Sequence, residues 1–303
     1  MLERYSNDFT IDELMVSCFS REIKNGEVLI QGVGSVMVAA AYMLAKMTHA
    51  PDALLSFGVG TGLVHKPFPL SLAYFEERVL QNSFYNYSLT EAIAELAFTW
   101  DHLIVEFFRP AQIDPFGNFN NVAIGSYESP KIRLPGAAGI PDVLEKREHV
   151  WFLYTPRHDR RTFVNQLDFK SGVGHLRKRD LEAKTEKGRE VTYNVPLRVI
   201  TDLGVLGFDR LTHRMMVESL HPGVTPEHIQ EQTQFELLFP GNITETPPPS
   251  AEEIRLIREH IDPYGIRKLE MIGSNVERQK LLLQIYEAEL KERKRPSSLH
   301  QKS

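Results

Sequence analysis

The chain has a single cysteine, Cys18, in 303 residues, which excludes an internal disulfide and any metal site caged by thiolates. A reducing compartment fits that usage. An excess of one charge is missing too. Thirty-five basic residues stand against forty acidic ones, a formal charge of -5, where a nucleic-acid binder shows a basic excess. No long hydrophobic run is present. The most apolar stretch, Val28 to Met47, is interrupted by Gln31, Gly32, Gly34, Ser35 and Lys46, and reads as a buried strand, turn and helix rather than a bilayer span. The start, Met1 to Asp8, is polar and acidic and reads as no signal peptide. The expectation is a cytoplasmic protein whose partners include neither nucleic acid nor membrane.

Familiar chemical motifs are also lacking. The eleven histidines form no His-Glu-x-x-His helix and no His-x-His strand, so no metal is expected. Gly-x-Ser-x-Gly is absent, and with it the hydrolase nucleophile elbow. Gly32-Val33-Gly34-Ser35 is not followed by Gly-Lys-Ser/Thr, and position 37 is Met where a dinucleotide fingerprint needs its third glycine. Cys18 sits on an apolar helix face and reads as packing. At 42% hydrophobic and 25% charged residues the composition is globular rather than disordered. The length suits one large α/β domain or two small ones.

Apolar spacing predicts a helix over Thr10 to Lys24, with Ile11, Leu14, Met15 and Cys18 on one face and Asn25-Gly26 as its stop. Strands are expected at Glu27 to Gln31, Ala53 to Phe57, Leu103 to Phe108, Val150 to Tyr154 and Pro196 to Thr201. Helices are expected at Val36 to Met47 and Glu91 to Thr99. Strand, glycine turn and helix in succession open a parallel α/β layer, so the expected fold is an open, mainly parallel sheet flanked by helices. Pro247-Pro248-Pro249 is a stiff connector. Ser250-Ala251-Glu252-Glu253 is a capping box whose helix turns Ile254 and Ile257 inward and ends before Asp262-Pro263. A second helix, roughly Ser274 to Arg293, carries Val276, Leu281, Leu282, Ile285 and Leu290. It lies either on its own domain or against a partner chain, and Pro296 to Ser303 reads as a disordered tail. The expected division is an α/β domain over 1–247, its capping helix over 248–264, and a C-terminal helical extension over 265–303.

Three segments are candidates for chemistry. Gly32, Gly34 and Ser35 precede a helix whose unpaired amides can hold an anion; the alternative is a tight turn with no ligand. Arg157-His158-Asp159-Arg160-Arg161 is either a solvated loop or a phosphate or interface contact. Ala111 to Asn120 is dense in turn formers and side-chain amides, with Gln112, Asp114, Gly117 and Asn118 at its centre. Nearby, Gly136, Ala137, Ala138 and Gly139 are small enough to let a substrate reach backbone amides, as an oxyanion hole requires.

The run Gln112-Ile113-Asp114-Pro115-Phe116-Gly117-Asn118, with Ile124-Gly125 and Pro130-Lys131 downstream, resembles the β subunit of the class I CoA-transferases, that of glutaconate CoA-transferase in particular. The resemblance continues through Asn25-Gly26 with the Gly32–Gly34 turn, Ala50-Pro51-Asp52, Arg160 to Phe163 with Asp168-Phe169, Thr201 to Val205, and Leu256 to Arg258 with Ile261 to Pro263. It covers roughly residues 8 to 264. It implies the CoA-transferase/NagB-like fold, an α subunit as partner in an α2β2 assembly, and an acyl-CoA substrate. Coenzyme A then comes as part of the substrate and no cofactor is tightly bound. It also implies CoA contacts at Gly32, Gly34, Ser35, Gln112, Asp114, Gly117 and Asn118.

In that family a β-subunit glutamate attacks the thioester and passes through a glutamyl-CoA thioester. Gly58 falls at the glutamate's place here, glycine offers no nucleophile, and no carboxylate lies between Asp52 and Glu76. Ser219-Leu220-His221-Pro222-Gly223-Val224-Thr225-Pro226 is similar to relatives that also lack the glutamate, among them the β subunit of the ring-opening CoA-ester hydrolase of bacterial steroid degradation. The resemblance therefore implies a hydrolase or lyase type. A true CoA-transferase and a non-catalytic regulatory subunit stay open as alternatives.

Overall fold

In the computed structural model the described residues are 6–32, 35–57, 62–88, 91, 104–144, 149–175 and 195–293. In chain order the first elements are α1 (Ile11–Arg21), β1 (Val28–Gln31), α2 (Val36–Met47), β2 (Leu54–Phe57), β3 (Gly62–Val64), α3 (Phe75–Asn82) and β4 (Ser83–Asn86). Next come β5 (Ile104–Phe108), β6 (Gln112–Ile113), β7 (Phe119–Asn120), β8 (Ala123–Gly125), β9 (Pro130–Arg133), α4 (Ile140–Leu144) and β10 (His149–Thr155). The last are β11 (Val199–Thr201), β12 (Gly204–Phe208), β13 (Met215–Leu220), α5 (Pro226–Glu231), β14 (Thr244–Glu245), α6 (Ala251–Arg255), α7 (Lys268–Met271) and α8 (Asn275–Arg293). A π-helical turn, Leu256–Ile261, continues α6. The helix expected over Glu91 to Thr99 lies, past Glu91, outside the described residues.

The chain divides into two compact units. One is made of Met1–Gly26, Gly32–Tyr87 and Pro249–Ser303; the other of Glu27–Gln31 and Ser88–Pro248. In the first unit α1 begins as its sequence directs. The Thr10 amide donates to Glu13 Oε2 at 2.9 Å, closing a capping box, and Leu14, Met15, Cys18 and Phe19 are buried. Helix α2 is buried from Met37 to Lys46, apolar on every side except for Lys46. That ammonium donates to the Ala53 carbonyl at 2.6 Å and to the Pro51 carbonyl at 2.5 Å, so its charge is met while its stem packs in the core. Strands β2, β3 and β4 pair antiparallel. The Ser250–Glu253 capping box forms with bonds of 2.6 and 3.1 Å, and Ile254 and Ile257 point inward.

The C-terminal residues anchor in this unit through ionic contacts. Arg267, 3% exposed, has Glu13 and Asp262 within 2.8 and 3.0 Å and Asp12 Oδ2 2.7 Å from its Nε. Burial pushes the Glu13 carboxyl up, but hydrogen bonds from Arg258 and the Thr10 amide and the Arg267 charge outweigh it and hold the group at about 2. Helix α8 lies on its own unit through Ile285 and Glu289. Val276, Leu282, Leu283 and Tyr286 remain exposed.

In the second unit the strand order is β14-β13-β12-β11-β10-β5-β1. Its centre is parallel: β1, β5, β10 and β11 run together, as their continuous apolar runs direct. Strands β12 and β13 add antiparallel hairpins, and β14 pairs parallel with β13. The core holds Phe108, Phe119, Trp151, Leu153, Phe163, Val199 and Val217. Phe108 and Phe119 each meet the Trp151 ring edge-on at 5.8 Å. The sheet thus offers the carboxyl ends of β5 and β10 to the long connections that follow them, the usual place for a ligand in open α/β folds.

Candidate functional site

The loop after β5 is a short ribbon, β6 paired with β7, around the turn Asp114-Pro115-Phe116-Gly117. Asp114 Oδ1 accepts from the amides of Phe116 at 2.9 Å and Asn118 at 3.0 Å, while Oδ2 accepts from Asn118 Nδ2 at 2.8 Å. Burial pushes the Asp114 carboxyl up and these three bonds pull it down, with a net upward shift. Gly117 has φ +72°, and a Cβ there would lie 2.7 Å from Phe208 and 2.8 Å from Pro196. Asn118 Oδ1 accepts from the Gly174 amide at 2.9 Å. Gly174 comes so close that a Cβ would lie 2.3 Å from the Gly117 carbonyl carbon.

Gln112 is spent in the same way. Its Nε2 donates to Asp168 Oδ2 at 2.9 Å, and its Oε1 accepts from Asn120 Nδ2 at 2.8 Å and from the Asp168 amide at 3.1 Å. Asn120 also donates to the Ala123 carbonyl and accepts from the Val122 amide. The four residues singled out in the sequence, Gln112, Asp114, Gly117 and Asn118, are thus brought together. Their polar groups are turned on one another and on the segment 168–174.

The loop at Gly136 to Gly139 differs. The Gly136 amide donates to the Asn121 carbonyl at 2.9 Å, and the Ala137 carbonyl accepts from the Ile140 amide at 2.8 Å. Among the described residues no acceptor takes the amides of Ala137, Ala138 or Gly139. Ala138 and Gly139 are exposed, and Ala138 holds φ +42°, a conformation that costs an L residue on the order of 1 kcal/mol. Three open amides beside a strained backbone can hold a carbonyl oxygen as charge develops on it. Of the four residues expected to form the oxyanion loop, Gly136 is the one whose amide is engaged.

At the turn after β1, Gly32 and Ser35 are described, while Gly34 lies outside the described residues, as does Gly58. Ser35 is the N-cap of α2 without a side-chain capping bond. The Met37 amide, one of the orphan donors of that helix start, donates to Glu270 Oε1 at 2.8 Å. A carboxyl group of the chain itself thus takes one amide of that helix start.

The remaining motifs make contacts within the chain. Asp159 accepts from the amides of Arg161 and Thr162 and from the Arg161 guanidinium, and Arg160 donates to the Glu231 and Thr233 carbonyls. His158 stacks on Phe163 at 3.7 Å and contacts Thr201 and Thr233 through its two ring nitrogens; burial lowers it to about 3, so it is neutral. His221 contacts the Thr201 carbonyl and Thr246, and burial lowers it to about 4. Thr225 caps α5 by accepting from the His228 amide. Sequence reasoning passed over Glu106. It stands in β5 among Ile, Val and Phe, is 8% exposed, and burial pushes its carboxyl up to about 8. The signal was present: a single charge inside a strand apolar enough to be central.

Comparison with known proteins places this fold and its loops. Residues 13–232 match the model of the family described as Coenzyme A transferase, and the chain belongs to that family. The relatives it matches are β-type subunits. It is 32% identical to the β subunit of 3-oxoadipate CoA-transferase of Pseudomonas knackmussii, over 82% of this chain and 92% of that one. It is 29% identical to the β subunit of glutaconate CoA-transferase of Acidaminococcus fermentans, over 86% and 94%. It is 30% identical to the IpdB subunit of the cholesterol ring-cleaving hydrolase of Mycobacterium tuberculosis, over 84% and 96%. Among solved structures, glutaconate coenzyme A-transferase of A. fermentans superposes with a TM-score of 0.72 at 26% identity, over 89% of this chain and the whole of that one. The decarboxylase AibA/AibB gives 0.71 at 26%, over 88% of this chain and again the whole of that one. No helix among the described residues is long and apolar enough to cross a membrane.

Proposed function

We propose that the chain is the β subunit of a cytoplasmic acyl-CoA enzyme, active only with an α-type partner in an α2β2 assembly, and that it breaks bonds in a CoA thioester without a glutamyl nucleophile of its own. Coenzyme A enters as part of the substrate, and the reaction uses no tightly bound cofactor. The observation that carries this reading is the absence of any carboxylate between Asp52 and Glu76, the segment in which the resemblance aligns Gly58 with the family glutamate. Glycine offers no nucleophile there, so an acyl-glutamyl anhydride has no carboxylate to form on in that segment. Water-dependent cleavage or loss of a carbon group is then the reaction left, which agrees with the hydrolase and decarboxylase relatives. The open amides of Ala137, Ala138 and Gly139 hold the thioester carbonyl, and Gln112, Asp114, Gly117 and Asn118 brace the loop beside the CoA moiety.

A second reading has its own support, since two of the relatives are named CoA-transferases. One experiment separates them. The chain is co-expressed with an α-type subunit, incubated with a panel of dicarboxylic and cyclic acyl-CoA thioesters, and treated with borohydride. The proposed reading expects conversion of the acyl-CoA, read by mass as hydrolysis, ring opening or loss of CO2, with no reducible adduct on this chain. A glutamyl-CoA adduct and loss of activity on reduction would establish the transferase instead. Gly58→Glu is the positive control: the restored carboxylate, held near the thioester, is expected to form the trappable adduct.

A further inference from the structure

The first turn of an α-helix, with unpaired amides and a positive dipole end, binds phosphate in many α/β proteins. Here the Met37 amide is taken by Glu270 Oε1 at 2.8 Å, from a residue 233 positions later in the chain. Glu270 is buried, and Met37 is fully so. The same C-terminal segment makes a second contact of this kind. Glu289, 2% exposed, accepts from the amides of Leu72 at 2.7 Å and Ala73 at 2.9 Å through its two oxygens. The buried Arg267, just before Glu270, is neutralised by Asp12, Glu13 and Asp262, which fixes the segment at its base.

We propose that the Glu270 carboxyl is the resident partner of the α2 start: a positioning residue that braces the first turn of α2 and closes that helix end to phosphate. A phosphate brought there would have to displace a bond already made. Glu270 lies beyond residue 264, where the resemblance to the CoA-transferase β subunit ends. The inference holds whatever reaction the enzyme performs; joined to the acyl-CoA reading, it directs the CoA phosphates to another surface.

The test uses the full chain and needs no activity. Wild type, Glu270→Ala and Glu270→Gln are melted in chloride, acetate and inorganic phosphate at matched ionic strength. Glu270→Ala is expected to melt about 3–8 °C lower in chloride. Acetate or phosphate is expected to return about half of that loss by filling the vacated position, while wild type moves by about 1 °C or less. Exchange of the Met37 amide in Glu270→Gln is expected to rise about tenfold, and this readout stands if the alanine variant does not fold. An unchanged melting temperature in Glu270→Ala, equal stabilisation of wild type by phosphate, or unchanged Met37 exchange would each overturn the proposal.

Discussion

Two loops of the second unit, 112–125 and 134–139, invite opposite readings in sequence and structure. The first is rich in side-chain amides around one carboxylate, Asp114, and is the most recognisable stretch of the chain. In the folded protein Gln112, Asp114, Asn118 and Asn120 spend those groups on each other, on Asp168 and on Gly174. The second is small and nearly featureless, yet it keeps the amides of Ala137 to Gly139 open. A densely polar motif can specify a backbone path, and the residues that face a substrate can be the ones with least side chain.

The sharpest break of this contrast is Gln112→Ala. It takes the Gln112 acceptor from the buried Asn120 amide and a donor from the exposed Asp168 carboxylate, so a loss of about 2 kcal/mol is expected, seen as a melting point lower by roughly 4–8 °C. A shift below about 2 °C would mean that the ribbon does not depend on its side-chain network.

A second effect comes from Glu106. Its folded-state value of about 8 lies above the ordinary 4.5, so the folded chain holds a proton that the unfolded chain releases. The contribution of Glu106 to stability is therefore full below pH 4.5, declines as pH rises, and levels off above about 8. Glu106→Gln removes this slope and is expected to exceed wild type at pH 8 by ~2 kcal/mol in denaturant melts. Parallel pH profiles for the two proteins would contradict the assignment.

The smallest effect belongs to the open loop. Ala138→Gly relieves the positive φ and is expected to stabilise the protein by up to ~1 kcal/mol, measured by calorimetry. Destabilisation would mean that Ala138 does not sit at φ +42° in solution.

Much of the architecture was legible because its causes are local. The Thr10–Glu13 and Ser250–Glu253 boxes, the apolar run of α2 and the central strands β1, β5, β10 and β11 each carry their own signal within a few residues. Strands β3, β4, β12 and β13 carry little; Gly62–Val64 is three residues long and becomes a strand only through its neighbours. Of the candidate site, the position of the loops was legible and their roles were not. Whether Gln112 meets a ligand or Asp168 depends on a partner 56 residues away, and whether the α2 start is open depends on Glu270, 233 residues away. No spacing rule reaches across such distances.

The central claim, that the open amides of the 137–139 loop hold the thioester carbonyl, is met most directly by Ala138→Leu in the complex with the α-type subunit. Ala138 is exposed and the substitution leaves its φ demand unchanged. The expected result is a kcat lowered ~10²-fold, the usual size for a lost oxyanion donor, with the melting temperature held within about 2 °C. A folded variant that turns over acyl-CoA at the wild-type rate would contradict the account.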